Sequence, residues 1–277
     1  MTVIGYLACK MFHDEIIYLI LNDPEIKEIT IIENGEHNGL IQKLDDVGVS
    51  YSLKPEIHSV PDLSDRTDLG EAGISLIIWC LELALHDFPK LLKEEVYADL
   101  EILAKKADGI YLLYGLCGNV LGHVEKDFKD ICPVVILRDP DGEVVDDCIG
   151  AALGGRRQYL ALLKKYSDVG TFIFTPMFAA SIYEFFNYRR KQTNMTEEQN
   201  IKMNKYMFEA SNYKRIARLE TGLHYTKNAD EILEKFAEMY NFEIFDIDGG
   251  HQEIFVDCYQ KLKNQIIKPN ISAHEGV

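Results

Sequence analysis

Short apolar runs, each followed by a stretch of helical period, recur from one end of this chain to the other. Thr2–Ala8, Glu28–Ile32, Gly109–Tyr114, Pro133–Leu137, Thr171–Thr175, Arg215–Glu220 and Phe242–Ile247 read as strands. Met11–Leu21, Glu36–Val47, Ile201–Ala210, Ala229–Tyr240 and Glu253–Asn264 read as helices. A chain that alternates the two is driven to a mainly parallel sheet with helices on both faces, because each parallel connection must cross over and a helix does so compactly. The expected fold is α/β and Rossmann-like.

Other segments carry weaker signals. Glu56–Val60 reads as a strand, and Ser75–Leu83 as a strand in its first half. Pro89 opens a long helix toward Lys106, with Asp87 as its N-cap. Asp147–Tyr166 reads as one helix despite Gly154-Gly155, residues 187–200 as a loop or hinge, and the C-terminal end as a frayed tail. Residues 1–168 are expected to form one α/β lobe. Residues 169–277 form either a second lobe or an extension of the same sheet.

Bulk properties exclude several classes. The net charge is −16, from 45 acidic and 29 basic residues, so no nucleic-acid partner is expected. Arg156-Arg157 and Arg189-Arg190-Lys191 read as solvated helix faces. The longest apolar run, Ile74–Leu85, contains Glu82 and is far shorter than the ~20 residues of a membrane span. The chain begins on a strand-like segment with no secretory signal, so a cytoplasmic protein without membrane contact is expected. Six cysteines in such a protein point to thiols or metal ligands rather than disulfides.

The carboxyl ends of parallel strands share one edge, and loops distant in sequence converge there. That edge sorts the cysteines and histidines. Cys9 follows the first strand, and Cys117 sits in Gly115-Leu-Cys-Gly118 after the strand ending at Tyr114. His86 lies between a strand-like run and the long helix. Cys148 follows the strand Pro133–Leu137 at a helix start. Cys80 lies within a strand, Cys132 at the opposite edge and Cys258 inside a helix, so these three read as packing. Three thiolates and one imidazole suit zinc or another divalent transition metal. The rival reading makes Cys148 a low-pKa nucleophilic or redox thiol at a helix N-terminus. His13 and His123 are candidates to support the ligands. Asp14, Glu15, Asp87, Asp139, Asp146 and Asp147 gather on the same edge, either as hydrogen-bond acceptors behind the ligands or as helix caps. Arg138 either pairs with these acids or binds an anionic substrate. Thr175, Glu220 and Asp248 end strands in the C-terminal part, with capping the simpler role. No Gly-x-Gly-x-x-Gly or phosphate-binding loop is present.

Leu85-His-Asp-Phe-Pro89, Tyr114-Gly-Leu-Cys-Gly-Asn119 and Asp146-Asp-Cys-Ile-Gly-Ala-Ala-Leu-Gly-Gly155 resemble the domain-of-unknown-function 1638 family. Ala8-Cys9 and Gly170-Thr-Phe-Ile-Phe-Thr-Pro176 fit the same pattern. Such proteins occur in methanogens and anaerobic bacteria, often beside corrinoid-dependent methyltransferase systems. The resemblance implies a role in methyl-transfer metabolism, with a small-molecule or corrinoid-linked substrate and a methyltransferase as partner. It supplies no reaction and no catalytic residues. Three functions are therefore weighed: a metal-dependent enzyme or accessory factor, a non-catalytic corrinoid or metal carrier or sensor, and a thiol-redox protein. The base-off corrinoid signature Asp-x-His-x-x-Gly is absent, which argues against a tightly held corrinoid.

Overall fold

The first apolar run becomes the middle of a sheet. β1 (Thr2–Cys9) pairs in parallel with β4 (Ile74–Leu81) on one side and β5 (Gly109–Leu113) on the other. With β2 (Ile26–Ile32), β3 (Ser52–Lys54) and β6 (Val134–Ile136), the order is β3-β2-β4-β1-β5-β6, parallel throughout. This computed structural model describes residues 1–66, 72–82, 88–182, 195–249 and 252–267. The central strands are buried on both faces, which explains their continuous Ile, Leu and Val content.

Two glycines let helices lie close on opposite faces. Gly5 and Gly109 fall on opposite sides of the sheet, because Gly109 is in register with Ile4. A Cβ at Gly5 would stand 2.7 Å from Leu103 on α3 (Pro89–Leu103). One at Gly109 would stand 2.8 Å from Ile266 on α10 (Glu253–Ile266). The α10 face also carries Tyr6, Tyr111 and Tyr259 in mutual ring contact, and the Tyr111 hydroxyl donates to the Phe255 carbonyl at 2.8 Å. α1 (His13–Asn22) and α2 (Asn38–Asp46) pack together beside the sheet.

β7 (Gly170–Phe174), β8 (Tyr213–Glu220) and β9 (Glu243–Asp248) form a separate parallel sheet in the order β7-β8-β9. α4 (Val124–Asp127), α5 (Cys148–Ala152), α6 (Arg156–Lys165), α7 (Pro176–Ala179), α8 (Glu197–Ala210) and α9 (Ala229–Tyr240) fill the connections. The last helix, α10, leaves the second sheet and returns to pack on β5 and β6 of the first.

The α/β reading holds, with local corrections. Glu56–Val60 is not a strand: Ile57–Ser59 is a 3-10 turn, and the strand lies earlier, at Ser52–Lys54. Asp147–Tyr166 is two helices, broken where Gly154 and Gly155 take φ of 90° and 108°. α8 starts at Glu197, inside the expected loop, on a capping box of Thr196 with Gln199. Residues 187–194, Asp87 and the tail from 268 onward lie outside the described residues. Among the described residues no helix is long and apolar enough to cross a membrane.

α10 is anchored by a buried ion pair. Lys263 Nζ donates to Asp23 Oδ2 at 2.8 Å, and the Tyr259 hydroxyl donates to the same oxygen at 2.8 Å. Burial alone would raise the Asp23 carboxyl, but these donors more than offset it and hold its pKa below the ordinary value. The pair therefore stabilises the fold above the ordinary Asp range near 3.8, and its contribution is lost as pH falls through the depressed native value. Lys263→Met is expected to cost about 3 kcal/mol in urea unfolding at neutral pH, with a smaller deficit in acid. An equal deficit at all pH values would assign the loss to packing alone.

Candidate functional site

The carboxyl ends of β1 and β5 lie side by side, but the chain leaves them in opposite directions. After β1 it runs toward β2, and after β5 toward β6 on the other side. Open α/β sheets take their ligands in the crevice that forms at such a reversal. Cys9 is the last residue of β1, and Cys117 lies in the loop that follows β5.

The backbone brings Cys148 to the same place. Leu116 N–H donates to the Val145 carbonyl at 2.8 Å, and Cys117 N–H to the Asp146 carbonyl at 3.0 Å. The loop after β5 is thereby paired to the segment that ends in Cys148. A Cβ at Gly115 would stand 2.6 Å from the Val145 oxygen, so a side chain there would force the two strands of backbone apart. Cys117 itself has φ of +43°, followed by Gly118 at +83° and Asn119 at +63°. A non-glycine residue in this region stores strain, a recurring property of functional loops.

Electrostatics tie the three thiols together. Burial pushes the Cys9 thiol up to about 11. Burial, reinforced by the nearby Cys9 sulfur, pushes Cys117 up to about 12. Cys148 is also raised well above the ordinary thiol value, by burial, by the Asp147 carboxylate and by Cys9 and Cys117. This corrects the reading of Cys148 as a low-pKa thiol: α5 is a short helix, and burial overrides its N-terminus. All six cysteines are free thiols.

The fourth expected ligand, His86, lies outside the described residues. The loop after β5 meets the start of α3 instead: a Cβ at Gly118 would stand 2.7 Å from the Pro89 ring. Among the described residues no group of three or more His, Cys, Asp or Glu side chains could hold a metal ion as it stands. The donor types suit a soft divalent ion, while the thiols form a shared field rather than a closed cage.

The remaining cysteines sit where strand logic puts them. Cys80 is in register with Ala8, so it faces the other side of the sheet from Cys9, although it lies close enough to feel its charge. Cys132 is buried against the Ala107 carbonyl, and Cys258 against the backbone of Arg138.

Most of the acids resolve into structural roles. Asp147 caps α5, accepting from Gly150 N–H at 2.7 Å. Asp139 accepts from the N–H groups of Asp141 and Glu143 and holds a turn. Arg138 pairs with Glu125, at 2.9 and 2.6 Å, rather than with the acids around Cys148. His123 is exposed, and Arg156 and Arg157 lie on the exposed side of α6. Thr175 caps α7.

The first turn of α1 holds chemistry that its sequence only hinted at. His13, Asp14 and Glu15 are all buried. Burial, then the charges of Lys43, Lys10 and His37, lowers His13 to about 3, so it is a neutral imidazole, and its Nε2 has no partner. Burial and the adjacent Asp14 raise Glu15 to about 8, and its Oε2 is also unpartnered. Asp14 is paired with Lys43 and accepts from the Thr226 hydroxyl at 3.1 Å, joining α1 and α2 to the loop after β8. That loop also walls a cleft of ≈ 270 Å³ at the carboxyl ends of β7 and β8, lined by Phe174, Arg218, Leu219, Glu220, Thr226 and Asp230. Arg218 is occupied there by Asp246, Asp230 and Glu220.

The profile of a family described as "Protein of unknown function (DUF1638)" matches residues 80–256, a span that contains His86, Cys117 and Cys148 and leaves Cys9 outside. No curated protein matches the chain.

The buried neutral carboxyl of Glu15 has a pH signature. The native state keeps its proton up to about 8, while the unfolded chain releases it near the ordinary 4.5. Stability therefore falls as pH rises through that window. Glu15→Gln, which is neutral at every pH, should gain on the wild type in urea melts as pH rises across it. A difference independent of pH would show that Glu15 is ionised in the folded protein.

Proposed function

We propose, for a chain that belongs to the DUF1638 family, that Cys9, Cys117 and Cys148 form a thiolate site for a soft divalent ion. Zinc is the first choice, His86 is the fourth ligand, and the site acts in or alongside corrinoid-dependent methyl transfer. The observation that carries this reading is the backbone pairing of the Cys117 loop to the segment ending in Cys148, at the β1–β5 crevice where Cys9 ends its strand.

Three neutral thiols gathered in a buried crevice are poor catalysts by themselves, because the nucleophile is the thiolate. A divalent cation reverses their preference, since sulfur ligands bind deprotonated and metal uptake releases protons. Were only three of these residues to bind, zinc would keep a position open for an incoming thiol, lower its pKa and present it as a nucleophile toward a methyl donor. The protein's part is to hold the ligands on separate loops of a preformed sheet. The metabolic setting comes from the family resemblance and the thiol chemistry from the crevice.

Anaerobically purified protein should carry about one zinc per chain by elemental analysis. Cys117→Ser and Cys148→Ser should lose most of it while keeping the far-ultraviolet circular dichroism of the fold. Metal far below one equivalent, and unchanged in both variants, would overturn the reading. With the metal in place, methyl transfer from methylcobalamin to a small thiol separates an enzyme from a carrier.

A further inference from the structure

The chain contains two Asn-Gly pairs close together, Asn34-Gly35 and Asn38-Gly39. In this dipeptide the backbone nitrogen can attack the preceding carboxamide, because glycine offers no side chain to obstruct the approach. The fold treats the two pairs differently. Asn38 opens α2, where helical backbone directs the Gly39 nitrogen along the helix axis and away from the carboxamide carbon. Gly39 is also packed against His13: a Cβ there would stand 3.2 Å from the ring Nδ1. Asn34 lies instead in the exposed loop between β2 and α2. Gly35 follows with φ of +86°, and nothing lies within 4 Å of where its Cβ would be.

Three groups bear on the reacting atoms of the first pair. Gly35 N–H, on the attacking nitrogen, donates to Nδ1 of the buried His37 at 3.2 Å, so an imidazole lone pair faces the proton that must leave. Asn34 N–H shares that acceptor at 3.1 Å. Glu36 N–H donates at 3.2 Å to Asn34 Oδ1, the oxygen on which negative charge collects during attack. Asn34 Nδ2, the leaving nitrogen, donates to the Cys80 carbonyl in β4. The ring closed by the Glu36 bond contains both Asn34 Cγ and Gly35 N. A base and an oxyanion donor are thus set on one carboxamide, in a loop open to water.

We propose that Asn34 is a self-modifying site, converted by the protein's own groups to aspartate and isoaspartate. His37 takes the Gly35 proton as the nitrogen bonds to Asn34 Cγ. The imidazolium returns that proton to Nδ2, the Cγ–Nδ2 bond breaks, and ammonia leaves behind a succinimide. Water then opens the ring at either carbonyl, giving an aspartyl or an isoaspartyl link to Gly35. The products act on the carboxyl edge of the first sheet. A carboxylate at position 34 has no proton to donate, so the tie to the Cys80 carbonyl is lost. An isoaspartyl link adds a backbone atom just before Glu36, which pairs with Lys10 beside Cys9 at 2.9 Å. The reaction loosens the loop after β2 from β4 and from the chain leaving β1, once and without return.

Trypsin releases both pairs in one peptide, residues 28–43, between Lys27 and Lys43. Folded protein is kept at neutral pH, sampled over days, digested and read by mass spectrometry beside a synthetic 28–43 peptide. In the peptide both asparagines should convert at similar rates. In the folded protein Asn38 should convert more slowly than in the peptide. Asn34 should convert roughly tenfold faster, short of the full effect of a positioned base because the lone pair is shared. His37→Gln, with native circular dichroism, should bring Asn34 down to the rate of the peptide or below. If that variant misfolds, wild type in urea makes the same comparison: unfolding should slow Asn34 and quicken Asn38. An Asn34 rate in folded wild type no greater than in the peptide would make the loop's hydrogen bonds a restraint and overturn the proposal. A folded His37→Gln variant that converts as fast as wild type would overturn it too.

Discussion

Close approach of two helices to the central strand pair is the constraint from which the rest follows. Gly5 and Gly109 have no side chain where Leu103 of α3 and Ile266 of α10 press on the sheet. Any larger residue would lift one helix, and the loops at the carboxyl edge would move with it. α3 begins at Pro89, whose ring meets Gly118, so the seat of α3 on Gly5 also sets where the Cys117 loop lies. A packing contact within β1 therefore helps set where the Cys117 loop lies at its carboxyl edge. Helices and sheets pack as rigid bodies at near-crystalline density, and displacements carry through them with little loss.

Polar groups help to join the two sheets. Thr226 accepts from Lys43 at 2.8 Å and donates to Asp14, completing a buried three-residue set. Lys227 reaches Asp46 at 2.6 Å on the exposed side of the same join. A buried ion pair is costly unless its remaining valences are filled, and the threonine hydroxyl fills them. Because Thr226 also borders the cleft of the second sheet, whatever enters that cleft would press on the groups that hold α1, four residues downstream of Cys9.

Much of the scaffold was legible before any coordinates, because period and punctuation specify strands and helices locally. Ala229–Tyr240 matches to the residue. Misreadings arose where local signals conflicted. Glu56–Val60 has the composition of a strand but turns instead, and Gly154-Gly155 breaks a run that otherwise favours a helix. Grouping Cys117 with Cys148 was readable, since both follow strands of one parallel sheet. Cys9 was readable for the same reason; Cys80 was set aside because it lies within a strand, and its register with Ala8 puts it on the opposite face from Cys9. The neutral states of His13 and Glu15 were not readable. Whether a polar side chain finds a partner depends on what the rest of the fold brings against it, and sequence spacing carries no record of that.

The return of α10 has a consequence for synthesis. The sixth strand of the first sheet is finished at Ile136, yet the tyrosine-lined face above β1 and β5 is packed by residues 253–266, which come more than a hundred residues later. A ribosome-bound chain thus carries an assembled or half-assembled sheet with one apolar face bare while the whole second sheet is made. Contacts that span such a separation form slowly and leave sticky surface exposed in the interval.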